Sequence, residues 1–92
     1  MELTRAQVRD GIIQCLRELL GDRDTLEIDD RTNPIKDLGL DSEDGVAMAC
    51  ALSEKFKCDI SNDINPFVDD DRDRGRRVGE IVDLVQDLIA SR

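Results

Sequence analysis

The sequence predicts an all-α fold: a small bundle of three longer helices, with one further short helix or turn, formed by residues 1–92 as a single domain. Three observations point there. Apolar residues recur at helical steps of three and four in three separate segments. No stretch alternates apolar and polar residues as a half-buried strand does. Leu, Ile, Val and Phe supply 26 of the 92 residues, or 28%, above the roughly 20% below which a highly charged chain tends to stay disordered.

The first helix is expected from Thr4. Thr4-Arg5-Ala6-Gln7 has the form of a capping box, in which a hydroxyl serves an orphan N–H and a Gln three residues on reaches back. Val8, Ile12, Cys15, Leu16 and Leu19 then follow at helical steps, and Gly21 is a natural stop after Leu20. Residues 22–41 read as a long connection. A loop of that length is unusual, but Leu26, Ile28, Ile35, Leu38 and Leu40 are spaced so as to pin it to the core at intervals.

The second helix is expected from Asp41-Ser42, with Ser42 as the N-cap and Glu43 and Asp44 at the positive end of the helix dipole. Val46, Ala49, Cys50, Leu52 and Phe56 supply its apolar side, and it should fade near Lys57-Cys58. Ile60, Ile64, Phe67 and Val68 are expected to form a short helix or turn against the core. Residues 69–77 hold four Asp and four Arg with no apolar anchor, and a mobile loop is expected there. The last helix has the clearest period, in Val78, Ile81, Val82, Val85, Leu88 and Ile89.

Composition excludes several function classes. The chain has 22 Asp or Glu against 13 Lys or Arg, a formal net charge of −9, and no His, Trp or Tyr. A histidine triad, a His general base and an HExxH metal site are ruled out. The charge has the wrong sign for a phosphate backbone, and two Phe are the only aromatics, so no nucleic-acid partner is expected. An anionic surface instead steers basic partners toward it. Nine acids and three bases fall in residues 22–44, which concentrates that field.

Cys15, Cys50 and Cys58 are an odd set with no C-x-x-C spacing, which argues against a disulfide framework. Cys15 and Cys50 lie in apolar helical patterns and are expected to be buried. The N-terminus has no apolar signal core and no apolar run nears membrane-spanning length. A cytoplasmic monomer that does not insert into membranes is the expectation.

The stretch richest in chemistry is Asp37-Leu38-Gly39-Leu40-Asp41-Ser42. A serine at the start of a helix, just after a loop, is exposed and fixed in place. A phosphate ester on it would sit beside unpaired N–H groups and the positive end of the helix dipole.

At this point the sequence resembles the acyl carrier proteins. Gly39-Leu40-Asp41-Ser42 is similar to that family's Gly-x-Asp-Ser motif, at its usual place before the second helix. Val46, Met48, Leu52 and Phe56 follow at the family's apolar spacing, Glu54-Lys55-Phe56 resembles its Glu-x-Phe ending, and Ile60 resembles the isoleucine beyond. Val78-Gly79-Glu80-Ile81-Val82 resembles the start of its last helix.

The resemblance implies a carrier that is not itself an enzyme. A phosphopantetheinyl transferase would move 4′-phosphopantetheine from coenzyme A onto Ser42, and the arm's thiol would hold acyl groups as thioesters. Gly39, Leu40 and Asp41 would complete the cofactor-attachment motif, with Asp41 used in transferase recognition. Glu43, Asp44 and Glu54 would meet basic docking patches on acyl-transferring or condensing enzymes. Val46, Met48, Ala49, Leu52 and Phe56 would line a cavity for the acyl chain. The two alternatives are an acidic helical adaptor without a prosthetic group and an aminoacyl or peptidyl carrier. Asp before the serine favours the acyl type, since the peptidyl motif more often has Gly there.

Four features depart from the family pattern. Glu43 replaces the usual apolar residue after the serine, and Gly45 loosens the first helical turn by about 1 kcal/mol relative to Ala. The stretch from Ile60 to Val78 is longer than usual, and Arg77 stands where a Thr often caps the last helix. Together they suggest a specialised member serving a dedicated lipid or secondary-metabolite pathway. Asp69, Asp71, Asp73 and Glu80 fall at positions 1, 3, 5 and 12 of an EF-hand-like spacing. The turn glycine is displaced and four arginines crowd the run, so no metal is expected.

Overall fold

A computed structural model of the chain describes residues 3–21, 27–60, 64–69 and 74–91. Three helices are present, α1 (Arg5–Leu20), α2 (Ser42–Phe56) and, after two short strands, α3 (Val78–Ala90). The strands β1 (Val68–Asp69) and β2 (Arg74–Gly75) pair antiparallel, with Val68 opposite Gly75 and Asp69 opposite Arg74. The fold is the small helical bundle expected, with no fourth helix among the described residues. No helix among them is long and apolar enough to cross a membrane.

The starts of α1 and α3 satisfy their orphan N–H groups in different ways. At α1, Thr4 Oγ1 accepts from Gln7 N at 3.2 Å while Gln7 Oε1 accepts from Thr4 N at 2.8 Å, completing the expected capping box. Gly21 ends it with a positive φ of 58°. At α3 the cap comes from elsewhere. Arg77 offers no side-chain bond to the first turn, and the N–H groups of Val78 and Gly79 donate to the carbonyls of Thr32 (2.8 Å) and Asp30 (2.9 Å). The α1–α2 connection is therefore held to the bundle by backbone bonds as well as apolar pins. Leu38 and Leu40 are buried, and Ile28 and Ile35 half-buried; Leu26 lies outside the described residues.

The core is assembled around α1, which packs against both α2 and α3. It joins Val8, Ile12, Cys15, Leu16 and Leu20 to Met48, Leu52 and Phe56 of α2 and to Val78, Ile81, Val82 and Val85 of α3. Cys58, Ile60 and the fully buried Phe67 close it from the segment after α2. Arg5 ties the start of α1 to α3 through Asp83 (2.5 Å) and Gln86 (3.1 Å).

The run 69–77 differs from the unanchored loop expected. Residues 70–73 lie outside the described residues, but both ends of the run are held. Arg74 makes a two-pronged salt bridge to Glu80. Arg76 Nη1 donates to the carbonyls of Asn65 (2.7 Å) and Val68 (2.8 Å). The anchors are guanidinium groups on carbonyls and a carboxylate, so a search for apolar anchors misses them. Cys50 is the second correction. It is exposed, while Cys15 and Cys58 are buried, and none of the three is disulfide-bonded. On α2 it shares a stripe with Val46 and Ser53, turned away from the Met48, Leu52 and Phe56 stripe that meets the core.

Candidate functional site

The loop entering α2 is built on an Asn-Pro turn. Asn33 Oδ1 accepts from the N–H groups of Ile35 (3.0 Å) and Lys36 (3.1 Å), with Pro34 buried between. Asp37 closes the turn, its Oδ2 accepting from Asn33 N at 2.8 Å while its N–H donates to Asn33 O at 2.7 Å. Gly39 follows at φ 74°, a backbone conformation that side chains disfavour. That reversal lets Leu38 and Leu40 on either side both enter the core.

Asp41, not Ser42, is the N-cap of α2. Its Oδ1 accepts from Asp44 N at 3.0 Å, and Asp44 Oδ2 accepts from Asp41 N at 3.0 Å. Both residues offer a capping oxygen, and the chain direction at Leu40 puts Asp41 in the extended cap conformation, so Ser42 becomes the first helical residue. Its side chain is exposed, and its hydroxyl makes no hydrogen bond to any described residue. A hydroxyl without a hydrogen-bond partner among the described residues thus stands at the start of α2. Asp41 and Glu43 are exposed beside it and Asp44 is half-buried. Glu54 is exposed eleven residues after Glu43, about three helical turns along the same side.

Next to this face runs a groove of about 310 Å³ lined by Val46, Ala49, Cys50, Ser53 and Glu54 of α2 with Ile60 and Ile64 across from them. Val46 is 61% exposed and is the large exposed hydrophobic of the described chain. The five cavity candidates thus fall in two groups. Val46 and Ala49 line the groove, whereas Met48, Leu52 and Phe56 are packed in the core. Sequence reasoning missed Cys50, Ser53, Ile60 and Ile64 as groove residues; the spacing of 46, 49, 50 and 53 is a second helical stripe that could have revealed them.

Of the EF-hand-like set, Asp69 and Glu80 are among the described residues. Asp71 and Asp73 lie outside the described residues. Asp69 sits opposite Arg74 in the β1–β2 ladder, and Glu80 Oε1 already accepts from Arg77 N at 3.0 Å as well as from Arg74. Among the described residues no group of three or more candidate metal ligands occurs. Of the thiols, burial pushes Cys15 above the usual thiol range, with Lys55 pulling it down and Glu18 pushing it up.

The family model described as the phosphopantetheine attachment site matches residues 10–64, well over half of the chain. That span runs from α1 through Ser42 to the groove residue Ile64. The chain belongs to this family, whose members carry covalently attached 4′-phosphopantetheine. It is a carrier protein of that class, and such carriers are modified by phosphopantetheinyl transferases and work with partner enzymes. Neither the curated proteins nor the solved structures return a match. The site fits the group: an exposed, unengaged hydroxyl begins α2, its neighbour Asp41 has taken over the capping role, and an apolar groove lies along the same helix.

Proposed function

We propose that the protein is an acyl carrier protein whose attachment residue is Ser42. The observation that carries this reading is the exposed Ser42 side chain at the first position of α2, within the residues 10–64 that the family model matches. The Ser42 O–H bond and a P–O bond of the coenzyme A pyrophosphate break. A phosphodiester forms at Ser42 Oγ, and the nucleotide leaves with the other phosphate. In this reading the transferase supplies the base that takes the Ser42 proton. When bound, the group supplies a long arm ending in a thiol that holds an acyl group as a thioester.

The chain's own residues orient and advertise that site. Asp41 and Asp44 hold the helix start through reciprocal bonds. Asp41, Glu43, Asp44 and Glu54 present negative charge along α2, complementary to basic patches on the transferase and on acyl-transferring or condensing enzymes. Val46 and Ala49 offer apolar surface to a partner or to an acyl chain in the groove, while Met48, Leu52 and Phe56 would contact a chain only on opening of the core. Glu43 beside the serine narrows the choice of partners and supports a dedicated pathway. The acyl type is favoured over an aminoacyl or peptidyl carrier by Asp41, and catalysis is left to the cytoplasmic enzymes that it serves.

Incubation of the apo protein with coenzyme A, Mg²⁺ and several phosphopantetheinyl transferases, followed by intact mass measurement, tests the attachment. A gain of one phosphopantetheine that is lost in Ser42→Ala supports it. Unmodified protein with every transferase and from the native source would leave the adaptor reading in its place. Growth restored by this chain in place of the housekeeping carrier would refute the dedicated pathway.

A further inference from the structure

We infer that Asn65 is a positioning residue for the modification of Ser42, acting with Gly45 and Arg76 as a strap that holds the first turn of α2 in place. The inference rests on the reading of Ser42 as the attachment residue. Asn65 begins an Asn-Pro turn of the same kind as Asn33-Pro34. Its Oδ1 accepts from Phe67 N at 2.9 Å, and Val68 N donates to its carbonyl at 3.1 Å. Pro66 and Phe67 are fully buried, so the turn is anchored in the core.

Because Oδ1 is engaged, the amide's donor side is directed elsewhere: Nδ2 donates to the carbonyl of Ser42 at 2.9 Å. This is the carbonyl of the residue that bears the nucleophile. A bond on it restrains the peptide plane after Ser42, and with it the direction in which the Cα–Cβ bond of Ser42 leaves the helix. The turn is held in its own right from the other side, since Arg76 Nη1 spans the carbonyls of Asn65 and Val68 and Arg76 N donates to Phe67 O at 2.8 Å.

Gly45 makes the contact possible. A Cβ there would lie 2.0 Å from Asn65 Oδ1 and 2.8 Å from Nδ2, inside any tolerated separation. The glycine that weakens the first turn as an isolated helix is thus the recess that receives the strap, and the lost helix propensity is offset by a tertiary bond to the same turn. The long segment between Ile60 and Val78 supplies both Asn65 and Arg76, so its length and this glycine belong to one device.

Asn65→Asp isolates the bond. It keeps the acceptor for Phe67 N and replaces the donor to Ser42 O with a second acceptor. At a temperature where circular dichroism finds the variant folded, the transferase reaction is expected to lose about tenfold in kcat/KM, carried by KM, because the helix start must be ordered on docking. In the apo protein, amide exchange at Gly45 and Val46 should accelerate while amides of α3 keep their protection. Gly45→Ala should reproduce both effects in the wild-type chain, yet cost nothing further in an Asn65→Gly background, where the recess is already empty.

Wild-type kcat/KM and wild-type exchange at Gly45 and Val46 in Asn65→Asp would overturn the inference, as would an equal Gly45→Ala penalty in both backgrounds. Should Asn65→Asp unfold, the Gly45→Ala pair carries the same test. Failure of the underlying reading looks different: the wild-type chain gains no mass, or Ser42→Ala still gains it.

Discussion

α2 and α3 are helices of similar length that use their apolar residues in opposite ways. In α3, Val78, Ile81, Val82 and Val85 are fully buried along one face, and the end of the helix, at Ile89 and Ala90, borders a groove shared with Leu3 of the N-terminal segment. In α2 the core takes a narrow stripe of Met48, Leu52 and Phe56, and a second stripe of Val46, Ala49, Cys50 and Ser53 is left along an open groove. In α3 the surface left open is confined to the end of the helix. The helix that presents Ser42 keeps apolar surface in reserve, flanked by carboxylates. That apolar stripe stands out in a protein of net charge −9, and Val46 is its most exposed member.

This contrast can be broken or sharpened by experiment. The largest expected effect is chemical: Ser42→Ala should abolish phosphopantetheine transfer, read by intact mass. Its unfolding free energy in urea should change little, within about 0.5 kcal/mol, because Asp41 does the capping. Thiol alkylation comes next. In the native protein Cys50 alone should react promptly, since Cys15 and Cys58 are buried and burial keeps the Cys15 thiol protonated; all three should react in denaturant. Peptide mapping of the alkylated protein checks this, and prompt labelling of Cys15 would contradict the assigned helix face.

On the α3 side, Ile81→Ala should cost about 2–5 kcal/mol in urea denaturation. Asp41→Ala removes the cap of α2 and should cost about 1 kcal/mol. Smallest of all, Val46→Ser should change stability by less than about 0.5 kcal/mol while weakening processing by partner enzymes, seen as a raised KM for the carrier. A Val46→Ser penalty as large as that of Ile81→Ala would mean that the groove is core.

Much of this was legible in the sequence, for reasons that lie in local chemistry. The start of α1 follows from Thr4 and Gln7, which need only three residues to find each other. The span of α3 follows from a period that no other element has to complete. The motif around Ser42 is contiguous, and so it was readable. The allocation of roles within it was not. Asp41 and Ser42 both carry a capping oxygen, and the choice depends on how Leu38, Gly39 and Leu40 are turned by burial. Cys50 was misplaced because α2 is apolar on two stripes, and the sequence of the helix does not say which one α1 will cover.

By itself, the sequence determined the three helices, their order, the acidic field before α2 and the place of Ser42, because each rests on interactions within a few residues. Tertiary structure alone decided that the mixed-charge run is held by Arg74 and Arg76, that Thr32 and Asp30 cap α3, and that Gly45 makes room for Asn65. Those contacts join different elements of the fold, from Arg74 and Glu80, six positions apart, to Asp30 and Gly79, on either side of α2. Their partners are carbonyls and carboxylates that every chain has in plenty, and only the packed core brings the chosen ones within hydrogen-bond reach.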